Sequence, residues 1–416
     1  MMSEPGPPFA DAVRVVWPEE SVSFEGGHPN VTCRLLGGGY SNRVYVCENP
    51  RGEPMKIILR VFGRAHTAER TEIPLGPAKH IVDFEKEQSN FVALASKGLA
   101  PKLYGSLSNG RIEEFWEGST LEFSEMTDAK TIEGVMRCLV RLHRQGPTQQ
   151  QSDAFASLEK LMLRWLAMST RRCEILKEGS AVCRELATAP WAQYVRLLLE
   201  RLRAQVQYTR PVFAHMDLNC GNIVRLDSRA AVGHDGGTGS NSKDTHRLLD
   251  FEFSMTACAA LDLANYACEI AIDNEACGKV CHDIDKIVPV VTRAYVRALG
   301  KHASSCCSDT CSSSLDTFSH CSSSSNTGEC HYDATVLQRD VQLCVPASHL
   351  LWALWSLLHC RGDESGHSQT VYSVENNSNW HINRCVSPLS DCLLQWCYAK
   401  YAKTRLDLFR SAMFIE

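Results

Sequence analysis

The chain has 416 residues, 44% hydrophobic and 22% charged, a globular composition with room for one large domain or two modest ones. Its formal net charge is −5 and no block of Lys/Arg is interleaved with aromatics, which argues against nucleic acid as a partner and for a small molecule. The amino terminus, MMSEPGPPFADAVRVV, has an early acid and several prolines where a signal peptide needs a basic start and an apolar run. The most apolar stretch, HLLWALWSLLHC (His349 to Cys360), falls short of the ~20 residues that cross a bilayer. A cytoplasmic protein without membrane insertion is expected. Twenty cysteines, most of them single in apolar contexts such as Cys138, Cys268 and Cys344, are expected to pack as free thiols, not to form a disulfide framework.

In chain order, VTCRLLGGGYSNRVYVCE predicts two strands around a glycine turn, and KIILRVFG predicts a third. IVDFEKEQSNFVALASKG (Ile81 to Gly98) places Phe84, Phe91, Leu94 and Ala95 at helical spacing and stops at a glycine. LYGSLSNGRIEEFW predicts two more short strands. After about Asp128 helical patterns dominate, among them AKTIEGVMRCLVRLHRQG and AQYVRLLLERLRAQV. The expected architecture is therefore α+β and bilobal, with a β-rich lobe over 1–125 and a larger, mostly helical lobe over 126–416. Three polar stretches, near 229–246, 302–335 and 364–379, predict surface insertions. The second is rich in Ser and Cys, but its Cys and His spacings match no zinc pattern.

The chemistry gathers around HMDLNCGN, His215 to Asn222. Protein kinases carry H-R-D-L-x-x-x-N, whose Asp accepts or orients the hydroxyl proton and whose Asn holds magnesium. Asp217 and Asn222 have that spacing, and the apolar runs PVFA and IVRL on either side would hold the polar loop between two buried segments. RLLDFEFS then delivers Asp250 followed by Phe251, where kinases place the magnesium-binding D-F-G aspartate. Asp217, Asn222 and Asp250 are the candidate catalytic residues, with Asn222 and Asp250 the candidate ligands of Mg²⁺, a cation that takes hard oxygen ligands and keeps phosphates and waters in its shell. The alternative for Asp250, a carboxylate capping a turn, ignores the order of loop, strand and acid.

On the nucleotide side, GGGYSN (Gly37 to Asn42) can offer backbone N–H groups to phosphate oxygens at a close approach that needs glycine. Arg60 in IILRVFG stands where kinases have a strand lysine, and a guanidinium can pair with phosphate bidentately. Glu87 on the following helix is the expected carboxylate to orient Arg60, with Glu85 as the competing choice.

These segments, together with GGYSNRVYVC, ILRVFG, LAPKLYGSLSNGRIEEF, FAHMDLNCGNIV, LLDFEFS, DLANYACE, ASHLLWALWS and YAKYAKTRLD in that order, resemble the choline/ethanolamine kinase family, of protein-kinase-like fold. The resemblance spans nearly the whole chain apart from the insertions. It implies transfer of the γ-phosphoryl group of ATP to the hydroxyl of choline or ethanolamine with Mg²⁺, the first step toward the corresponding phospholipid. It assigns Asp217 as base, Asn222 and Asp250 to magnesium, and Gly38, Ser41, Asn42 and Arg60 to the nucleotide, and a homodimer is entertained. Asn219 falls where choline kinases often carry Gln, which puts its expected ATP contact in question, and Met216 replaces a common Asn. His215 and Asp262 are expected to brace the loop.

The resemblance places the amine near Glu269, Trp352, Trp355, Tyr398 and Tyr401. A quaternary ammonium has no N–H to donate and is held by aromatic faces and a carboxylate, whereas a primary ammonium donates three hydrogen bonds. The other reading of LLWALW is a core helix whose tryptophans only pack. Where choline kinases have tyrosines after the D-F-E motif, this chain has Phe253 and Asn274, which tilts the expectation toward ethanolamine; EEFWEGSTLEF (Glu113 to Phe123) points the same way and Tyr398 the other. The rival functions are a choline kinase, a binding-only pseudokinase, which Asp217, Asn222, Asp250 and Arg60 argue against, and a kinase-fold enzyme acting on an aminoglycoside.

Overall fold

The structure is a computed structural model, which describes residues 12, 14–18, 31–38, 42–62, 81–148, 153–227, 245–274, 276–304, 333–360 and 397–414. Ser41 and most of the three polar insertions lie outside the described residues. The edges of two insertions belong to the fold: His246 opens a strand, and Asp333 caps a helix by accepting from the backbone N–H groups of Thr335 and Val336.

The five expected strands form one antiparallel sheet. They are β1 (Thr32–Gly38), β2 (Asn42–Glu48), β3 (Lys56–Phe62), β4 (Leu103–Leu107) and β5 (Gly110–Glu114), in the order β1-β2-β3-β5-β4. Alternation fixes its faces. Ile57 and Leu59 of β3 and Ile112 of β5 point into a small core with Trp17, Val31 and Cys47, so Arg60, Arg111 and Glu113 are sent to the opposite face. That face receives α1 (Phe84–Ala95), started by the Asp83 side chain accepting from the Lys86 N–H, and the Phe62 and Phe84 rings meet edge to face at 4.3 Å.

The chain leaves this sheet after Glu114, and β6 (Gly118–Thr120) already pairs with a strand of the second lobe, β8 (Ile223–Leu226), which in turn pairs with β9 (His246–Leu248). Of these three short strands, β6 had no counterpart in the sequence patterns. The helical lobe comprises α2 (Ala129–Gln145), α3 (Ala156–Leu176), α4 (Ala181–Thr188), α5 (Trp191–Gln205), α6 (Ala259–Ala271), α7 (Ile284–Ser304), α8 (Ala334–His359) and α9 (Tyr398–Phe414). β7 (Pro211–Ala214) pairs antiparallel with β10 (Met255–Cys258), and α6 follows β10 directly.

The apolar run at His349 belongs to a helix longer than the sequence stretch suggested. At 26 residues α8 is long and apolar enough to cross a bilayer, yet 94% of its most apolar window is buried inside the protein, against α3, α5, α6, α7 and α9. Burial by its neighbours, not shortness, accounts for this helix. The described cysteines are all free thiols.

Candidate active site

The loop His215 to Asn222 leaves β7 and enters β8, and its backbone is held by α6. Asp262, fully buried, accepts hydrogen bonds from the N–H groups of His215 and Met216, both at 2.7 Å, and contacts His143 Nε2 at 2.9 Å. Asn265, one turn on, accepts from the Leu218 N–H at 2.7 Å. Asp262 thus braces the loop as expected; Asn265, not singled out in the sequence, shares that role because it lies at i+3 on the same helix face. The His215 ring accepts from the Asp217 N–H through Nδ1, so its Nε2 carries the proton and donates to the Leu249 carbonyl at 2.9 Å. Burial lowers its pKa, which suits a neutral brace between the two loops.

Met216 and Asp250 adopt φ of 69° and 62°, the left-handed region that costs a non-glycine residue ~1 kcal/mol. Both residues abut the reacting groups, and the bonds just described hold the loop in place. The Leu249 N–H donates to the Asn222 carbonyl at 2.8 Å, which sets Asp250 beside the end of the loop.

Asp217 receives two side-chain amides, Asn219 Nδ2 on Oδ1 and Asn222 Nδ2 on Oδ2, each at 2.8 Å. Burial, then the charge of Glu269, push its pKa up to about 7, with Asp250 adding to the rise and the two amides opposing it. Such a carboxylate is near neutral poise for a general base. The Asn219 amide is spent within the loop, since its Oδ1 accepts from the Gly221 N–H at 2.9 Å. A side chain one methylene shorter than Gln here folds back on Asp217.

Asn222 directs its NH₂ to Asp217, leaving Oδ1 without a hydrogen-bond donor among the described residues, while the Asp250 carboxylate also receives none there. One amide oxygen and one carboxylate, both hard and unspent, fit a magnesium ion that completes its shell with phosphate and water. No cluster of three or more His, Cys, Asp or Glu side chains suited to a metal occurs among the described residues.

On the nucleotide side the structure differs from the expectation. Glu87 does not orient Arg60; it takes the Arg111 guanidinium, which donates from Nη1 to both carboxylate oxygens at 2.7 and 2.9 Å. Arg60 instead donates from Nε to Glu113 Oε1 at 2.7 Å, and Arg111 Nε donates to the same oxygen at 2.7 Å. The reason is register: Arg60 of β3 stands directly opposite Arg111 of β5, and the diagonal Glu113 separates two like charges. Glu85, the competing choice, makes neither contact. Gly38 ends β1 opposite Arg43, and Asn42 opens β2 opposite Phe62, so Gly38 and Asn42 lie toward the same end of the sheet as Arg60.

The amine candidates also assemble. Phe253 packs edge to face on Trp352 at 5.3 Å, Trp352 on Trp355 at 5.6 Å, and Trp355 lies 6.0 Å from Tyr398. His359, which the sequence did not single out, extends the row by stacking on Tyr398 at 5.1 Å, and burial lowers its pKa to about 4, so the ring is uncharged. Glu269, on the last turn of α6, is not a bare counter-ion. Arg405 donates to its Oε1 at 2.8 Å and Asn274 Nδ2 hydrogen-bonds to its Oε2. Arg405 also donates to the Tyr401 hydroxyl at 2.9 Å. The segment YAKYAKTRLD carried this arginine, but its partner lies 136 residues earlier in the chain, beyond any local pattern.

A family model described as choline/ethanolamine kinase matches residues 33–410. Choline kinase alpha of Mus musculus is 24% identical over 79% of this chain and 70% of its own length, and choline kinase A2 of Caenorhabditis elegans is 25% identical over 78% and 73%. Among solved structures, a choline kinase from Cryptosporidium parvum superposes with a TM-score of 0.63 at 16% identity, covering 97% of this chain and 94% of that one. An ethanolamine kinase from Plasmodium vivax gives 0.54 at 18% identity, covering 96% and 89%. These two share the fold of this chain.

Proposed function

The chain belongs to the choline/ethanolamine kinase family, and from that premise we propose that it transfers the γ-phosphoryl group of ATP to the hydroxyl of ethanolamine, with choline as a second substrate. Asp217 is the base, its carboxylate fixed by Asn219 and Asn222 beside the charge of Glu269. Asn222 and Asp250 would hold magnesium, which neutralises charge on the transferring phosphoryl group when bound. Arg60 and the glycine turn at Gly38 to Asn42 face the phosphates of ATP. The amine lies against Phe253, Trp352, Trp355, Tyr398 and Tyr401, with Glu269 and Asn274 at its polar edge.

The observation that carries ethanolamine over choline is Asn274. It hydrogen-bonds to Glu269 where the family resemblance expects an aromatic ring, so one wall of the site is polar. A trimethylammonium loses a cation–π contact there, of ~0.5–2 kcal/mol, while a primary ammonium can donate to lone pairs that Arg405 and Asn274 leave on the Glu269 carboxylate. A cytoplasmic place in phosphatidylethanolamine synthesis follows from this substrate. The test is ATP consumption with ethanolamine, choline and an aminoglycoside side by side. Ethanolamine should give the highest kcat/KM; a clear preference for choline would overturn the substrate, and turnover of the aminoglycoside alone would overturn the whole reading.

A further inference from the structure

Four charged side chains lie in a row between the sheet and α1, Arg60, Glu113 and Arg111 from the sheet and Glu87 from the helix, linked by bonds of 2.7 Å. Two positive and two negative charges balance, which burial at this depth requires. The row is not symmetric. Arg111, 2% exposed, is tied at two nitrogens: Nε bonds Glu113, Nη1 bonds Glu87 and Gln88, and its guanidinium sits 3.7 Å over the Phe91 ring. Arg60 gives only Nε to Glu113. Its two terminal nitrogens make no hydrogen bond among the described residues, its side chain keeps 11% exposure, and the charge of Asp250 across the cleft acts on it.

We infer that Glu113 is the residue that positions Arg60 for the phosphates of the nucleotide, and that Glu87 serves a different task, tying α1 to the sheet through Arg111. The proposal rests on the reading of Arg60 as a nucleotide residue. Its physical basis is the fork of a guanidinium: with Nε fixed, both terminal nitrogens are aimed as a planar pair, a division of labour that a single ammonium could not make. Both members of the positioning pair lie on adjacent strands of one sheet. The direct partner of Arg60 therefore lies in the sheet, and α1 reaches it only through Arg111, unlike the strand-to-helix ion pair of protein kinases.

The experiment measures KM for MgATP, kcat, KM for the amine and Tm in the full chain for Arg60→Gln, Glu113→Gln, Glu113→Asp, Glu87→Gln and the double variant Arg60→Gln with Glu113→Gln. Glu113→Gln should raise KM for MgATP about tenfold with the amine KM unchanged, and the double variant should be no worse than Arg60→Gln alone, as expected of residues acting as one unit. Glu87→Gln should lower Tm and move KM for MgATP less than about threefold. If Glu113→Gln does not fold, Glu113→Asp, which keeps the charge and loses the reach, should show the same rise. Equal effects of Glu87→Gln and the Glu113 variants on KM for MgATP would overturn the inference. An unchanged KM in Arg60→Gln would instead remove the nucleotide role of Arg60, and the inference with it.

Discussion

Arg60, half-buried, and Arg405, fully buried, are each bonded to a buried glutamate, and they differ in what remains after the bond is made. Arg60 leaves two terminal nitrogens unspent among the described residues; Arg405, with no exposed surface, has none to spare. Its Nε goes to Tyr401, Nη1 contacts His349 Nδ1 at 3.4 Å, and Nη2 meets Glu269 and Asn274. An arginine on a strand at the edge of a cleft has neighbours on one side only. One that points from α9 into the lobe between α6 and α8 is surrounded. The same ion pair thus leaves open nitrogens in one lobe and makes a closed strut in the other, and the strut keeps Glu269 from standing as an uncompensated charge.

The residue between the two arginines gives the largest expected effect. Asp217→Ala should lower kcat by about 10²–10⁴-fold while leaving ATP affinity largely intact, because the phosphates are held from the side of Arg60. ATP binding and single-turnover rates check this; loss of ATP binding in a folded Asp217→Ala variant would break the separation of the two sides.

Stability gives the next contrast. Arg405→Met leaves Glu269 buried without its cation and should cost about 3–5 kcal/mol, whereas Arg60→Met leaves Glu113 still paired with Arg111 and should cost only ~1 kcal/mol. Urea unfolding of the two variants decides, and similar losses would show that the strut and the open nitrogens are not different things. The polar wall comes third: Asn274→Tyr should shift the ratio of kcat/KM values toward choline by about 3–30-fold, the equivalent of one cation–π face. No shift would mean that Asn274 serves only to hold Glu269.

The smallest effect is a matter of pH. His349 Nδ1 faces the Arg405 guanidinium, so the ring is neutral, and burial followed by that charge lowers its pKa well below the ordinary 6.5. The folded state then binds fewer protons than the unfolded state below pH 6.5, and stability is lost as pH falls. Wild type should lose about 1 kcal/mol more than His349→Gln between pH 6.5 and 5.5. Parallel losses in the two proteins would place the acid sensitivity elsewhere.

What the sequence determined by itself is what local pattern and spacing carry. The five strands of the first sheet, the helix from Phe84, and the loop with Asp217 and Asn222 followed by Asp250 are each set within a few residues by alternation, helical period and motif spacing. The aromatic row was legible for the same reason, since Trp352 and Trp355 lie on one helix. The partners of charges were not. Glu87 was the natural mate for Arg60 by analogy, but strand register put Arg111 opposite Arg60 and Glu113 on the diagonal, 53 residues away. The alternation R-I-E in β5, which puts Arg111 and Glu113 on one face, was the signal to be had. Arg405 reached Glu269, and Asn219 turned back to Asp217, only once packing had excluded water and left each buried charge or amide to find the nearest group able to satisfy it. That choice belongs to the tertiary structure, because a buried charge pairs with whatever the fold brings within about 3 Å, however distant in the chain.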